Sequence, residues 1–489
     1  MKELKSMNQN QEQVDNPERR ELFRRAAIGG GAVLVAGLGA YGVGRASIQG
    51  FKTDTWPQTN EDFLPMDQRN VLWNYTASRE QAITQPERNY QFGVLNKNDP
   101  DYSFQIYRNS KKLPFDNNKV GFTQLDYALA DASWGTVFGR DLKMNALCKP
   151  NTQMYSWDQS SKVDEQYKFA SKEEATDAIR SAAKLFGAAR VGIARQDKRW
   201  DYDPIINVDT TSKTNPKDEV LTWEEDFPFK PKTVIVLAVP MDYDSLAAGP
   251  TKTSSAATGD GYSKMALIAS TMADFIRRLG YHAVASGNDL GNSVAYGIAA
   301  GLGEGARNGA LVVPGYGPRI RLCKVYTDFD FVEYGEPHNW GIEEFCKTCM
   351  ECAHKCPSKA ITMADDTSFY FEGEHAEQPG YSWSNHEGIK KFHNDAKRCL
   401  DYWFESNTDC SACITSCTFN EPDYWHHWMI VSANPFVPSV LHEAMSKMHP
   451  AFGYGKTSDE SAVKKFWQTG RGMRVNPTNR NTYGAVGRS

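Results

Sequence analysis

Eight of the ten cysteines in this 489-residue sequence fall into two groups whose spacing is typical of iron–sulfur ligands. The first group has the C-x2-C-x2-C-x3-C-P spacing that binds a four-iron cluster, and it consists of Cys346, Cys349, Cys352 and Cys356. The second group has the spacing C-x10-C-x2-C-x3-C and consists of Cys399, Cys410, Cys413 and Cys417. The sequence therefore predicts two 4Fe-4S clusters and one-electron transfer.

The spacing also predicts how the two clusters share the thiolates. Cysteines separated by two residues can reach neighbouring corners of one cluster, whereas the fourth ligand comes from a distant part of the chain. We predict that one cluster is bound by Cys346, Cys349, Cys352 and Cys417, and the other by Cys356, Cys399, Cys410 and Cys413. Cys148 and Cys323 are left over, and they could form a disulfide, face a cofactor or, as we expect, lie buried as small apolar side chains.

Length and charge limit the other possibilities. A chain of 489 residues exceeds what one hydrophobic core usually serves, so we expect two or more domains. The net charge is -5, the pI is near 6.1, and acidic and basic residues are mixed along the chain. A nucleic-acid-binding protein normally has a basic stripe, so these values argue against nucleic acid and favour a small substrate.

Residues 1–46 have the pattern of an export signal. A basic stretch at 19–25 contains the pair Arg19 and Arg20, an uncharged run rich in Gly and Ala covers 26–43, and Gly44 and Ala46 follow. The arginine pair indicates the twin-arginine route, which exports folded proteins and so suits clusters assembled in the cytoplasm. The alternative is a membrane anchor, which the repeated glycines disfavour.

Residues 47–166 are aromatic and polar, and their periodicity is too weak to predict long helices. We expect an irregular layer over the core. A short apolar patch at 127–130, with Trp134 and Phe138 after it, could form a pocket wall, although ordinary core aromatics are the simpler interpretation.

Residues 167–342 alternate between helical and strand patterns. A helix is predicted between a cap at Ser171 and a stop at Gly187, and strands are predicted at 190–194, 233–239, 281–285 and 310–313. Further helices are expected at 262–279 and 293–301. This alternation predicts an α/β unit with helices on both faces of a sheet. Gly301 and Gly303 end a helix rather than open one, so we expect them to let backbone approach something large and flat, not a dinucleotide.

The C-terminal part divides at the cysteines. We expect a cluster domain at 343–420, in which 365–395 form a surface loop, and a tail at 421–489 that folds back on the body. His426 and His427 are adjacent and would point in different directions on a helix, which favours partner contacts over metal binding.

The combined pattern resembles the respiratory reductive dehalogenases, which are corrinoid-dependent enzymes. The resemblance covers the signal and about 171–420, and its specific segments are GYS at 261–263, SGN at 286–288, GLGE at 301–304, GPRIR at 317–321, VYTD at 325–328 and the cysteine runs. It implies an α/β (α+β) fold, with a nitroreductase-like corrinoid-binding core and a C-terminal, bacterial-ferredoxin-like double-cubane domain. It also implies a cobamide bound base-off, and the chain has no D-x-H-x-x-G stretch that would supply a histidine to cobalt.

The resemblance implies roles for particular residues. Tyr262 matches the family's proton donor, Arg321 the basic residue beside it, and Asn288 the amide that completes the site, with Arg319 as an alternative to Arg321. Without the resemblance, Tyr262 would be interpreted as a tyrosine at a helix start. The residues implied to contact the corrinoid are Tyr262, Asn288, Gly287, Gly301 and Gly303, and those implied to wall the substrate pocket are Trp134 and Trp403.

The implied reaction replaces a carbon–halogen bond with carbon–hydrogen in a small chlorinated ethene, alkane or aromatic. Attack of cobalt on carbon, attack on halogen and electron transfer all stay open. The expected location is the outer face of the cytoplasmic membrane, with a small integral-membrane anchor protein and a membrane electron donor as partners and no nucleic acid. The alternatives are an epoxyqueuosine-reductase-like corrinoid enzyme and a non-catalytic iron–sulfur electron-transfer subunit.

Overall fold

The structure is a computed structural model that describes residues 51–52, 57–68, 71, 115–138, 157–206, 220–372, 385–420, 434, 439–451, 454–455 and 460–468. The predicted export signal at 1–46 lies outside these residues, and so do Cys148, His426 and His427. Among the described residues, no helix combines the length and the hydropathy that crossing a membrane requires.

The described part of the chain is a mixed α/β fold. Its strands, numbered in chain order, are β1 (Phe51–Lys52), β2 (Arg190–Arg195), β3 (Ile205–Ile206), β4 (Val220–Leu221), β5 (Thr233–Pro240), β6 (Ala283–Ser286), β7 (Glu304–Gly305), β8 (Leu311–Val312), β9 (Ile320–Thr327) and β10 (His338–Asn339). Its helices are α1 (Gln124–Phe138), α2 (Lys172–Leu185), α3 (Tyr243–Leu246), α4 (Lys252–Arg278), α5 (Ser293–Ala299), α6 (Ile342–Cys349), α7 (Glu351–His354), α8 (Ala396–Ser406), α9 (Ala412–Thr415), α10 (Ser439–Ala451) and α11 (Glu460–Gln468).

The central sheet has four antiparallel strands in the order β2-β5-β9-β6. Strand β5 is apolar throughout, and all eight of its residues are buried because both faces of the sheet are covered. Ile235, Leu237 and Val239 pack with α2 and α4 on one face. Val234 and Val236 pack with α5 and a group of aromatic rings on the other face. The expectation of helices on both faces of a sheet is therefore confirmed.

Several predicted elements are confirmed with small shifts in their bounds. Ser171 caps α2 by accepting a hydrogen bond from the Glu174 N–H at 3.1 Å, and Glu174 accepts one from the Ala170 N–H at 2.7 Å. The chain leaves this helix at Gly187, where φ is +110°. The predicted strands at 190–194, 233–239, 281–285 and 310–313 correspond to β2, β5, β6 and β8.

Three predictions about the core elements were wrong. Helix α4 begins at Lys252, ten residues before the expected start, because Thr251 and Ser254 form a capping box there. Residues 47–166 were expected to lack long helices, but α1 contains 15 residues and packs along α4. The strand β9 was not predicted, although it pairs with both β5 and β6 and so lies inside the sheet.

The cysteine-bearing region consists of short helices and turns that pack against the core. Helices α6, α7, α8 and α9 carry cysteines and contain eight, four, eleven and four residues. The expected surface loop at 365–395 is only partly exposed, because Phe371, His386, Ile389 and Phe392 are buried. Helix α10 packs against α6, and α11 packs against α3, so the described part of the tail lies on the body as expected.

Candidate active site

Helix α4 positions Tyr262 in its interior rather than at its start, which corrects the interpretation of Tyr262 as a helix-start tyrosine. The first turns of α4 are small and buried, and they contact α1 closely. A Cβ atom at Gly259 would lie 2.7 Å from the Trp134 ring, so glycine is required for this packing. Trp134 Nε1 donates a hydrogen bond to Ser255 Oγ at 3.2 Å, and its ring stacks on that of Tyr262 with centroids 5.2 Å apart.

The Tyr262 hydroxyl is the meeting point of three predicted site residues. Asn288 Nδ2 donates a hydrogen bond to the Tyr262 oxygen at 2.9 Å, and Arg321 Nη1 approaches the same oxygen at 3.4 Å. The Arg321 guanidinium also lies 4.6 Å from the centre of the Tyr262 ring. Both neighbours donate to the oxygen, so the phenolic proton is not used in these contacts and stays available to a third group.

Arg321 reaches Tyr262 from β9, whereas the alternative, Arg319, does not. Arg319 is buried, and its guanidinium donates hydrogen bonds to Asn420 Oδ1 at 3.0 Å and to the Met241 carbonyl at 2.7 Å. Arg321 Nε is buried and has no hydrogen-bond partner among the described residues. A Cβ atom at Gly261 would lie 3.1 Å from Arg321 Cγ, so this glycine lets the arginine cross the face of α4.

Asn288 lies in a loop that two buried charged residues, Lys324 and Asp289, hold in place. Lys324 Nζ donates hydrogen bonds to the Gly287 carbonyl and to Ser293 Oγ, both at 2.7 Å. The Gly287 N–H donates to Asp289 Oδ1 at 2.6 Å. Burial lowers the pKa of Lys324 to about 8 and raises that of Asp289 to about 6, and the attraction between the two charges opposes both shifts. With its neighbours held, the exposed Asn288 side chain extends from a rigid support.

A cavity of about 630 Å³ separates the core from the cysteine-bearing region. This volume lies within the range of roughly 300–1,000 Å³ that small-molecule and cofactor sites occupy. The core contributes Asn288 and Arg321 to its lining, and α8 contributes Trp403. Tyr262 and Trp134 lie in a second layer, outside the residues that line the cavity. Tyr262 contacts the lining residues Asn288 and Arg321, and Trp134 stacks on the Tyr262 ring.

The cysteines separate into the two groups that the spacing indicated. What we call the enclosed group lines a small void that shares Ala306 and Asn308 with the lining of the large cavity. It consists of Cys346, Cys349, Cys352 and Cys417. What we call the cavity-side group lies on the wall of the large cavity, and it consists of Cys356, Cys399, Cys410 and Cys413. Cys323 belongs to neither group and is buried in β9, as expected.

The thiols of both groups lie in largely buried surroundings. Burial raises the pKa of Cys346 and Cys399 to about 12, so these thiols stay protonated at neutral pH unless positive charge lies beside them. All nine described cysteines are free of disulfides. Within the described ranges, no set of three or more His, Cys, Asp or Glu side chains closes on one metal ion. A cluster binds each thiolate through a different iron and so requires a more open set.

The glycines that were expected to approach a cofactor approach protein instead. A Cβ atom at Gly303 would lie 2.1 Å from the Val312 carbonyl oxygen, and one at Gly301 would lie 2.6 Å from that of Glu336. Gly287 has both its backbone polar groups bonded within the protein. Two other glycines of the same segment, Gly305 and Gly309, do line the large cavity. A close backbone approach was predicted at Gly301 and Gly303, and the structure has one there, but the neighbour is protein backbone rather than a cofactor.

The sequence did not identify a hairpin that links the core to both cysteine groups. Glu304 is buried and accepts hydrogen bonds from the N–H groups of Trp340, Ile342 and Glu343, where α6 begins. At the tip of the same hairpin, Arg307 donates to the Cys346 carbonyl and Asn308 Nδ2 donates to the Cys413 carbonyl at 3.2 Å. The sequence marks this hairpin only by the polar residues Glu304, Arg307 and Asn308, which lie among glycines.

Comparison with known proteins gives a consistent result. Tetrachloroethene reductive dehalogenase of Desulfitobacterium hafniense is 32% identical over 414 residues, which cover 72% of this chain and 73% of that protein. The protein of the same name from Dehalobacter restrictus is 32% identical over 429 residues, which cover 74% of this chain and 76% of the relative. No family model matches the chain.

A solved structure of a catabolic reductive dehalogenase superimposes with a TM-score of 0.60 at 17% identity. The match covers 85% of this chain and 50% of the solved one, so this chain spans about half the length of that structure. At this level of identity the likeness concerns the fold.

Proposed function

Because this chain belongs to the reductive dehalogenases, oxidoreductases that act on carbon–halogen bonds, we propose that it replaces one halogen of a small organohalide with hydrogen, with tetrachloroethene as the first candidate substrate. One observation supports the proposal for the site: Asn288 and Arg321, which hold the Tyr262 hydroxyl, line a cavity that is also lined by four cysteines. The relatives favour this function over reduction of a tRNA base or electron carriage alone.

The fold supports a proposal for the cofactors. The large cavity would hold a corrinoid between a nitroreductase-like core at 167–342 and a ferredoxin-like region at 343–420, and the two cysteine groups would hold two 4Fe-4S clusters. When bound, these groups supply single electrons and a cobalt centre that can reduce a carbon–halogen bond. The unpartnered Arg321 Nε and His386 Nδ1 are polar atoms that a ligand in the cavity could satisfy.

The protein residues would supply the proton and the environment. The overall change consumes two electrons and one proton, breaks the carbon–halogen bond, forms a carbon–hydrogen bond and releases halide. Tyr262 would donate its phenolic proton to the carbon, and the Arg321 guanidinium would stabilise the phenolate that remains. Asn288 would fix the direction of the hydroxyl through its 2.9 Å hydrogen bond.

Two tryptophans would keep water from this proton transfer. Trp134 covers the Tyr262 ring, and Trp403 lines the cavity from α8. An apolar, water-poor pocket strengthens the interaction between Arg321 and the phenolate and accommodates a small haloalkene.

We also propose that the chain is exported by the twin-arginine route and works on the outer face of the cytoplasmic membrane. The arginine pair at Arg19 and Arg20 and the uncharged run after it support this proposal. A small integral-membrane protein would anchor the enzyme, and a membrane electron donor would reduce it. Release from membranes by mild salt, together with loss of residues 1–46 from the exported protein, would support docking over a permanent anchor.

The function is tested with anaerobically purified protein. Iron, sulfide and cobalt are measured first, and halide release from tetrachloroethene, a chlorinated alkane and a chlorophenol is then followed with a chemical reductant. We expect cobalt, iron and sulfide in one preparation and the fastest release from the ethene. Full iron and sulfide without cobalt or halide release would instead identify an electron-transfer subunit.

A further inference from the structure

Arg307 is completely buried and lines the small void of the enclosed cysteine group. Its Nε and Nη2 atoms donate hydrogen bonds to the Cys346 carbonyl at 3.0 and 2.7 Å. Its Nη1 atom donates to the carbonyls of Thr362 and Ala364, both at 2.8 Å. The guanidinium also lies 4.2 Å from the centre of the Phe392 ring. The position of this charge is therefore fixed on every side.

Asp365 is the only carboxylate among the described residues that acts noticeably on the charge of Arg307, and its influence is weaker than that of the three nearby thiols. The acceptors of its hydrogen bonds are neutral backbone carbonyls, and within the described part of the chain no Asp or Glu lies at salt-bridge distance from it. Burial lowers the pKa of Arg307, and the strongest opposing influences are the sulfur atoms of Cys346, Cys352 and Cys349. An arginine keeps its charge even when buried, and a buried charge without a partner costs several kcal/mol. The enclosed group supplies the negative charge that would offset this cost.

The cavity-side group has carboxylates near its sulfur atoms. Asp395 acts on Cys399, and Asp409 acts on Cys410. Arg398 Nε lies 3.6 Å from Asp395 and offsets part of that negative charge. For Cys399, Cys410 and Cys413, the described surroundings contain no cation that acts on the sulfur. Glu304 acts on Cys346 and Glu351 acts on Cys349, so carboxylates lie near both groups. The enclosed group differs in having the buried Arg307 guanidinium on its void.

We propose that Arg307 raises the reduction potential of the cluster on the enclosed group above that of the cluster on the cavity-side group; this inference rests on the proposed iron–sulfur function. Reduction adds one electron to a cluster that already carries negative charge, and a buried guanidinium beside it stabilises the reduced form. An electron from a one-electron donor would thus rest on the enclosed group. It would pass to the cavity-side group, with oxidation of one cluster and reduction of the other, when turnover removes an electron from the latter.

The proposal is tested by equilibrium redox measurements followed by electron paramagnetic resonance in wild-type protein, Arg307→Met and Arg307→Lys. The two cluster signals are assigned with Cys356→Ser, which removes a cavity-side ligand. We expect Arg307→Met to lower the midpoint potential of the enclosed cluster and to change the other midpoint less. Arg307→Lys retains the charge and should stay near the wild-type value. Equal shifts of both midpoints in Arg307→Met, or the same shift in Arg307→Lys, would overturn the proposal.

Wild-type protein provides a second test that does not depend on the folding of a variant. The enclosed cluster should be reduced at the higher potential, and the reverse order would overturn the proposal even if Arg307→Met loses its iron. These measurements need neither cobalt nor substrate. Failure to release halide would therefore count against the proposed reaction and leave this inference standing. A wrong order of potentials would overturn this inference and leave the proposed reaction standing.

Discussion

The two walls of the large cavity are built in different ways. On the core wall, Tyr262 belongs to a helix of 27 residues and Arg321 to an eight-residue strand inside a four-stranded sheet. On the cysteine wall, Cys413 lies on a four-residue helix and Cys399 on one of eleven residues, whereas Cys356 and Cys410 lie between helices. Met350 and Lys359, in the same region, have positive φ angles of 53° and 55°. Long elements hold the core wall by packing, whereas the cysteine wall is built from shorter helices and turns.

The largest expected effect is that of Cys356→Ser on the cysteine wall. This change removes a ligand of the cavity-side group, so we expect loss of roughly half the iron, loss of one of the two cluster signals, and halide release below detection. Far-UV circular dichroism should stay close to wild type because the core wall does not need the metal. Cys323→Ala, at a buried cysteine outside both groups, is the control and should keep all the iron. Loss of both cluster signals, or of neither, would contradict the assignment of Cys356.

The next effect is that of Tyr262→Phe on the core wall. Loss of the proton donor should lower the rate of halide release by about 10²–10⁴-fold, while cobalt, iron and both cluster signals stay at wild-type levels. The matched control is Tyr281→Phe, which removes a hydroxyl that donates only to the Tyr167 carbonyl, outside the site. Wild-type turnover in Tyr262→Phe would remove the proton-donor role and leave Tyr262 as a packing residue.

The same contrast explains what could be predicted from the sequence. Cysteine spacing is a local property, so the two groups followed from the sequence alone. Strand β5 was predicted because its residues are all apolar, and α2 because its cap is local. The strand β9 was missed because Arg321 and Lys324 interrupt its apolar run, and both are there to hold the site.

The start of α4 was missed for a related reason. Its first turns contain small polar residues and two glycines, which weaken helix propensity, yet they are buried against α1 and β9. Tertiary packing therefore overrides local preference where the site is built. Family resemblance, rather than any local pattern, was what pointed to Tyr262, Asn288 and Arg321 together.

A smaller effect is expected from Gly259→Ala, which changes the packing of the core wall without direct contact with the site residues. The added Cβ would lie 2.7 Å from the Trp134 ring, and overpacking of this kind costs about 1–3 kcal/mol. Trp134 should move away from Tyr262, with a rise in KM for the organohalide and no loss of iron. Leu267→Ala, on the exposed face of the same helix, is the control and should leave KM unchanged. An unchanged KM in Gly259→Ala would show that Trp134 is not a wall of the substrate pocket.

The smallest effect concerns how the two walls respond to acid. On the core side, burial raises the pKa of Asp201 and Asp289 to about 6, so their protonation favours the folded state as the pH falls. On the cysteine side, burial lowers the pKa of His386 to about 4 and that of His393 to about 3, with the Lys391 charge contributing to both shifts. An unfolded histidine titrates near ~6.5. Between pH 6.5 and 4 the unfolded chain therefore binds a proton at His386 that the folded chain does not, and stability is lost as the pH falls through this window.

His386→Asn should reduce this loss. Asparagine tolerates the positive φ of 50° at this position and does not titrate, so the variant removes a pH-dependent cost that reaches at most about 3 kcal/mol. Midpoints of thermal unfolding, measured at one scan rate from pH 7 to pH 5, should fall less steeply in His386→Asn than in wild type. Equal slopes in His386→Asn and wild type would show that His386 does not cause the loss of stability in acid.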